Sequence, residues 1–490
     1  MTKWLPALEK SSRPKFKRLA DAIERDVYSG KLSPGDKLPT HRDLADDLKM
    51  NVSTVTRGYA EAEKRGLVCG TVGRGTFIAS DAITSSSMVT FEPHAPGMIE
   101  LGMVNTFYDL DPDIQDGMKR LTRRRNLNAF LRYTDPQGLP EHREVGADWA
   151  KRYHLETTAG NVLVCSGAQH ALNCCLSSLF RSGDRIATDP LIYPGMKTLA
   201  NMLGIRLVPV PMDDQGMIPE QLDRICRREK INGVSLMPGV QNPTSACMPL
   251  ERREQIAMIA CNHDLTIIED DAYALTVESD LPPITSFAPE RSVFIAGVSK
   301  SIAVGLRVAF MVAQGERFKQ LAHAILNTVW MTPPLNVELL CQWITDGTAD
   351  ITVKLKRQAA RRRFEAVEDL LDGMGLGVNP SGFFLWLSLP EPWKGYMVEQ
   401  RAREAGLNIF GAEKFAVGGG PVPANIRLSL SGPKDIEQLR KGLGILKVIL
   451  DGRDSFKEAI QEGLDELAKG KQIPHEEVIK SIKQIGYDVS

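Results

Sequence analysis

Several residues that could do chemistry sit at the ends of apolar runs in the second half of the chain. Lys300 lies just beyond SVFIAG and brings an amine, and Arg307 follows seven residues later. Asp270 and Tyr273 close LTIIEDD, a carboxylate and a phenol three residues apart. Asn242-Pro243-Thr244 follow GVSLMPG, Tyr193 follows DRIATDP, and Gly167-Ala168-Gln169 follow NVLVCS. That last trio opens a helical pattern, where backbone N–H groups can hold a phosphate. Taken singly, each has an ordinary reading. A lone lysine is usually a solvated surface group, an Asp at a strand end usually caps the next helix, and NPT is usually a turn.

The elements that must position these residues are legible as an alternation. From about residue 99 to 450, the strand-like runs NVLVCSG, DRIATDP, RLVPVPM, GVSLMPG, LTIIEDD and SVFIAGV alternate with helical patterns. Such alternation predicts a mostly parallel sheet covered by helices, with a ligand site at the C-terminal ends of the strands.

In this order and at these strand ends the set resembles the fold-type I, pyridoxal 5'-phosphate (PLP)-dependent enzymes of the aminotransferase family. The resemblance implies that Lys300 in VSKSIAVGLR forms the Schiff base with PLP and that Asp270 keeps the ring nitrogen protonated, so that the ring can act as an electron sink. It gives Tyr273 and Asn242 to the ring's phenolic oxygen and Tyr193 to the ring face. The phosphate receives Ala168, Gln169, Ser299 and Arg307, together with Tyr133 of RYTDPQGLPEHRE, lent by a partner subunit. Arg427 in NIRLSLSG matches the arginine that grips a substrate carboxylate. Two positions depart from the family: Ser245 stands after NPT where glycine is usual, and Gly297 stands where Ser or Thr often contacts the phosphate.

The first eighty residues read differently. Phe16, Leu19, Ala20, Ile23 and Val27 recur at helical spacing and predict a helix over Lys15–Tyr28. Thr40 is placed to cap a second helix carrying Leu44, Ala45 and Leu48. Ser53 is placed to cap a third that runs to about Arg65, with Val55, Tyr59 and Ala62 inward. Two short extended pieces, Leu67–Cys69 and Thr76–Ile78, flank a glycine-rich tip and predict a wing. The stretch from SGKLSPGDKLP to GRGTF is similar to the winged helix-turn-helix of GntR-type repressors. That similarity carries Arg42, Ser53, Thr54, Thr56, Arg74 and Gly75 to DNA, with Arg57 substituting for the arginines that relatives place early in the recognition helix. A helical dimerisation bundle is the bland alternative, and it has no use for the wing.

Joined, the two halves resemble MocR-type regulators. The expected architecture is a winged helix-turn-helix (α+β) domain at 13–79, a Ser- and Pro-rich linker at 80–98, an α/β aminotransferase-like effector domain at 99–450 and an extra tail at 451–490. The resemblance implies a domain-swapped, head-to-tail homodimer on a double-stranded DNA operator. PLP would sit in the effector domain, with PLP itself or an amine or amino acid as effector. On this reading the chain is a regulator rather than an enzyme. The rival is a working aminotransferase with an accessory head.

Composition agrees with this reading. The net charge of −1 hides about 15 Lys and Arg against about 10 Asp and Glu in residues 1–79, the footprint of a nucleic-acid-binding head. No apolar run approaches the roughly 20 residues of a membrane helix, and the N-terminus lacks a signal-peptide core, so a cytoplasmic protein is expected. Eight cysteines without a CxxC pair read as reduced and structural. His41 and His475 have no metal-ligand spacing around them and read as surface polar groups; no metal is expected. In the tail, Ile460, Leu464 and Leu467 share one helix face, and Val478, Ile479 and Ile482 another. This segment resembles the C-terminal part of small bacterial antitoxins and suggests a protein-docking arm or an appended helical hairpin.

Overall fold

The computed structural model describes residues 4–8, 13–28, 31–32, 36–65, 67–71, 75–78, 97–124, 127–371, 375–376 and 382–451. Residues 80–96 of the linker, Arg74 and all of the tail beyond Asp451 lie outside the described residues.

The head is built from α1 (Lys15–Tyr28), α2 (His41–Asp47) and α3 (Val52–Lys64), followed by the hairpin β1 (Val68–Thr71) and β2 (Gly75–Ile78). Leu19, Ile23, Leu44, Val55, Tyr59 and Ile78 form its core, the faces that the helical spacing marked. Gly58 lets α3 approach α1 closely, because a Cβ there would meet Leu19 Cδ2 at 2.7 Å. Thr40 caps α2 as expected, its hydroxyl accepting from the Asp43 N–H at 3.2 Å. Ser53 does not cap α3. The helix starts two residues earlier, at Val52 after Asn51, which makes no side-chain cap bond, and Ser53 lies inside the first turn. The hairpin is braced by the segment just before α2: Leu38 N–H donates to Thr76 O and Ile78 N–H donates to Asp36 O.

In the body, β3 (Val162–Cys165) leads into α5 (Ala168–Leu179), which follows α4 (Pro140–Ala150) in the chain. Then come β4 (Arg185–Thr188), α6 (Pro194–Met202), β5 (Arg206–Pro209), β6 (Gly233–Leu236), β7 (Thr266–Asp270), β8 (Ser292–Gly297) and β9 (Ala309–Ala313). They form one seven-stranded sheet in the order β3-β9-β8-β7-β6-β4-β5. All six runs marked in the sequence are strands of this sheet. The seventh, β9, is antiparallel to both neighbours and inserts between β3 and β8. One face packs α5 and α6 against Ile268, Ile295 and Met311. The other packs α4 and α7 (Pro334–Thr345) against Phe294 and Phe310. Strands buried on both faces read as continuous apolar runs, as the inner ones do, while the edge strand β5 is only partly buried.

After α8 (Thr348–Glu365) a smaller antiparallel sheet follows: β10 (Gly375–Leu376), β11 (Phe384–Ser388), β12 (Phe410–Gly411) and β13 (Asn425–Ser429), in the order β10-β11-β13-β12. Helix α9 (Ile436–Leu450) packs with it through Leu439, Leu443 and Leu446. Residues Ile99 and Glu100 pair with Leu407 and Asn408, tying the start of the body to this unit. The second sheet matters because it carries Arg427.

Candidate functional site

The C-terminal ends of the large sheet and the edge of the small one bring the marked residues together. Gly167 follows β3 with φ 88° and ψ 164°, a conformation that belongs to glycine, and Ala168 and Gln169 open α5. A Cβ on Gly167 would lie 2.7 Å from Arg307 Nη2, so the bare backbone makes room for that guanidinium. Arg307 is exposed and itself adopts φ 51°, and its Nη1 donates to Ser299 Oγ at 3.3 Å. Helix start, arginine and serine thus form one polar cradle. Gln169 donates to Gly195 O, while its Oε1 is buried without a partner.

Next to the cradle lies a cavity of about 20 Å³ lined by Tyr193, Asn242, Asp270, Thr188 and Asp189. Asp270 is buried and its Oδ1 has no partner. Burial, reinforced by the charge of Asp271, pushes its carboxyl up to about 7. Asp189 Oδ1 and Thr188 Oγ1 are also unpartnered, and burial raises Asp189 to about 7. Tyr273 is buried, packs edge-on against Phe384, and is held protonated by burial.

Lys300 extends its Nζ to Val104 O and lies 5.7 Å from the centre of the Tyr273 ring. Burial, together with the positive charges of Arg427, Arg307 and Lys356, lowers its amine to about 8. This shift enlarges the neutral share of the amine, the form that attacks a carbonyl carbon.

Arg427 is 3% exposed. Its Nη1 donates to Asn242 Oδ1 at 2.6 Å and its Nη2 to Gly102 O at 2.7 Å, while Nε has no partner. Phe384, Phe410 and Phe415 wall it at 5.6, 5.8 and 4.7 Å. No carboxylate bonds to it among the described residues, and burial lowers it to about 10.

The two departures have local explanations. Ser245 sits at φ 60°, the left-handed region where glycine is at ease, and is held there by bonds to Gln241 O and Thr244 O. A Cβ on Gly297 would come within 3.2 Å of Ala168 Cβ, so a side chain there would crowd the start of α5. Tyr133 stands apart from the pocket, 82% exposed and tilted against Trp330 at 5.5 Å.

On the head, Ser53, Thr56, Arg57 and Arg42 are exposed and Thr54 is half-buried. The exposed Arg57 guanidinium lies 4.2 Å over the Phe16 ring of α1, a contact between helices that periodicity does not show. Thr56 donates to Val52 O and also contacts His41 Nδ1 at 3.1 Å. One hydroxyl proton cannot serve both contacts, so His41 donates from Nδ1. His41, read from sequence as a surface polar group, is one, and it ties α2 to Thr56 of α3. Gly75 has φ 119° at the start of β2.

A model of the aminotransferase class I and II family matches residues 97–443, and one of the gntR family of bacterial regulatory proteins matches residues 15–78. The chain belongs to the MocR-type regulators. The HTH-type transcriptional regulator YdeF of Bacillus subtilis is 33% identical to this MocR-type chain over 449 residues, 91% of this chain and 97% of YdeF. The vitamin B6 salvage pathway transcriptional repressor PtsJ of Salmonella typhimurium is 26% identical over 75% of this chain and 84% of PtsJ. Among solved structures, the α-aminoadipate aminotransferase LysN of Thermus thermophilus, complexed with N-(5'-phosphopyridoxyl)-L-leucine, superposes with a TM-score of 0.66. That match has 25% identity and covers 73% of this chain and 93% of LysN. This MocR-type regulator therefore joins a DNA-binding GntR head to a body of the aminotransferase fold, whose family cofactor is PLP.

The residues fit that cofactor. An unpartnered buried carboxylate oxygen, a glycine-walled cradle beside an arginine, and a partly neutral lysine amine are what its ring nitrogen, phosphate and aldehyde require. Among the described residues there is no cluster that could hold a metal and no helix long and apolar enough to cross a membrane.

Proposed function

We propose that this regulator binds PLP through Lys300 and senses PLP itself, or an amine or amino-acid effector, in the same pocket. When bound, PLP supplies an aldehyde carbon that exchanges amines and a ring that withdraws electrons from it. Lys300 would hold that carbon, Asp270 would keep the proton on the ring nitrogen, and Tyr273 and Asn242 would serve the phenolic oxygen. Tyr193 would cover the ring face. Ala168, Gln169, Ser299 and Arg307 would hold the phosphate.

The observation that carries the effector reading is Arg427. A buried guanidinium without an anion is costly, and a ligand carboxylate relieves that cost while the aromatic walls exclude water. Occupancy and DNA binding are then linked reciprocally, if the liganded and unliganded bodies place the heads differently. Arg42, Ser53, Thr54, Thr56, Arg57, Arg74 and Gly75 are proposed for the DNA face. Exposed Tyr133, beside exposed Trp330 and Leu131, supports a head-to-tail homodimer in which Tyr133 reaches the partner's phosphate site.

The test has two parts. The visible absorption spectrum of the purified protein should show a PLP band that disappears or shifts in Lys300→Ala. Amines and amino acids that perturb the band should also change operator affinity. The sensing reading fails if a saturating effector leaves affinity and DNA bending unchanged in the PLP-loaded protein. The intact set of Lys300, Asp270, Tyr273 and Arg427 also suits a working aminotransferase. Steady-state turnover with common amino-donor and keto-acid pairs, at rates typical of metabolic enzymes, would favour that second reading.

A further inference from the structure

Lys356 of α8 lies in the run KLKRQAARRR, where a lysine looks like one more solvated charge. It is instead among the largest fully buried side chains, 1% exposed. An ammonium has three N–H donors, and here each has an acceptor at 2.5 Å: Thr106 Oγ1, Asp111 Oδ1 and Ile302 O. Ile302 is two residues beyond Lys300. Thr106 accepts from Lys356 and spends its own proton on Lys300 O at 3.4 Å. One cation thus ties the backbone of the Lys300 turn, directly and through Thr106, to the 106–111 segment, which begins two residues after the Val104 carbonyl that meets the Lys300 amine.

We propose that Lys356 is a positioning residue for Lys300, clamping the turn that carries it against the 106–111 segment and adding a fixed cation near it. The inference rests on the reading of Lys300 as the cofactor's lysine and deepens it. A strut of the core would need only to hold the fold. A positioning cation also acts on the ionisation of Lys300, since a like charge nearby favours the neutral amine. Arg427 from the small sheet and Arg307 beyond β8 act on the Lys300 amine in the same sense, with the Tyr273 ring beside it, while the Asp111 carboxylate bonded to Lys356 offsets part of the Lys356 charge. Lys356 therefore shares this task with two arginines.

The full-length protein is labelled with trace acetic anhydride from pH 6 to 10, and acetylation of Lys300 is followed by peptide mass spectrometry. PLP capture is measured separately by borohydride trapping. The wild-type midpoint is expected near 8. Lys356→Met should raise it by about half a unit to one unit and slow PLP capture several-fold, and Lys356→Arg should recover most of the midpoint. Thr106→Val, which keeps the cation but cuts the relay to Lys300 O, should slow capture with the midpoint unmoved. An unchanged midpoint in Lys356→Met overturns the proposal. Should that variant not fold, wild-type capture by Thr106→Val overturns it instead. If the wild type traps no PLP, the cofactor reading falls, while the acetylation midpoints still decide the role of Lys356.

Discussion

At the scale of single residues, the pocket is made of groups whose environments move them away from their ordinary states. Gly167 shows how little room there is. Alanine at φ 88° and ψ 164° costs about 1–3 kcal/mol, and its Cβ would press on Arg307 from 2.7 Å. Since about 1.4 kcal/mol is tenfold in affinity, a cradle that relaxes out of shape to relieve this strain should bind PLP roughly five- to a hundredfold more weakly in Gly167→Ala, measured by titration of the absorption band. Asp270 makes a prediction of pH dependence. Its carboxyl titrates near 7 in the folded protein against about 4 when unfolded. The folded state therefore binds the extra proton between those values, and stability falls as pH rises from about 4 to about 7. A cationic ring nitrogen beside Asp270 reverses its share of that loss. The rise in Tm caused by PLP should be larger at pH 8 than at pH 5.5, and Asp270→Asn should abolish the difference.

At the scale of elements, the head turns on the closeness of α1 and α3. Gly58→Ala would gain about 1 kcal/mol of helix propensity, but the added methyl meets the fully buried Leu19 at 2.7 Å. Overpacking of that kind costs about 1–3 kcal/mol, so the overlap wins. The variant should lower the head's unfolding transition in calorimetry of the full chain and weaken operator binding, with the PLP band unchanged. A stabilised head would show that the helices can separate at little cost. The same logic applies at Gly297: with Ala168 Cβ 3.2 Å from its missing Cβ, a side chain there would crowd the start of α5.

At the scale of the whole molecule, the proposed homodimer makes a prediction by complementation. If Tyr133 serves the partner's pocket, Tyr133→Ala and Lys300→Ala should each bind PLP poorly as homodimers. A mixed dimer then contains one pocket with both residues, Lys300 from one subunit and Tyr133 from the other. Co-expressed and purified through two different tags, it should recover about half of the wild-type band at near wild-type affinity. Absence of recovery would place Tyr133 outside the partner's site.

The sequence by itself determined a good deal, because much of this fold is written in local patterns. Helix α1 spans the residues its apolar spacing marks, and six strands coincide with six apolar runs, since burial on both faces leaves a continuous signature in the inner strands of the sheet. The pocket residues were legible because parallel strands end along one edge, so position at a strand end already implies proximity. Other features depended on partners far away in the chain. Strand β9 is apolar like its neighbours, and only its pairing with β3 and β8 reveals that it runs the other way. Asn51 rather than Ser53 precedes α3, because a helix start is fixed by backbone geometry and several small polar residues compete for it. Arg57 lies on Phe16, and His41 reaches Thr56, through contacts between helices that periodicity does not register. Lys356 is the clearest case. Its charge is written in the sequence, but its burial comes from residues up to 250 positions away, and burial turns a surface cation into part of the site. Periodicity says which face of an element is apolar. What covers that face, and which charges are trapped beneath the cover, is decided only when the chain is folded.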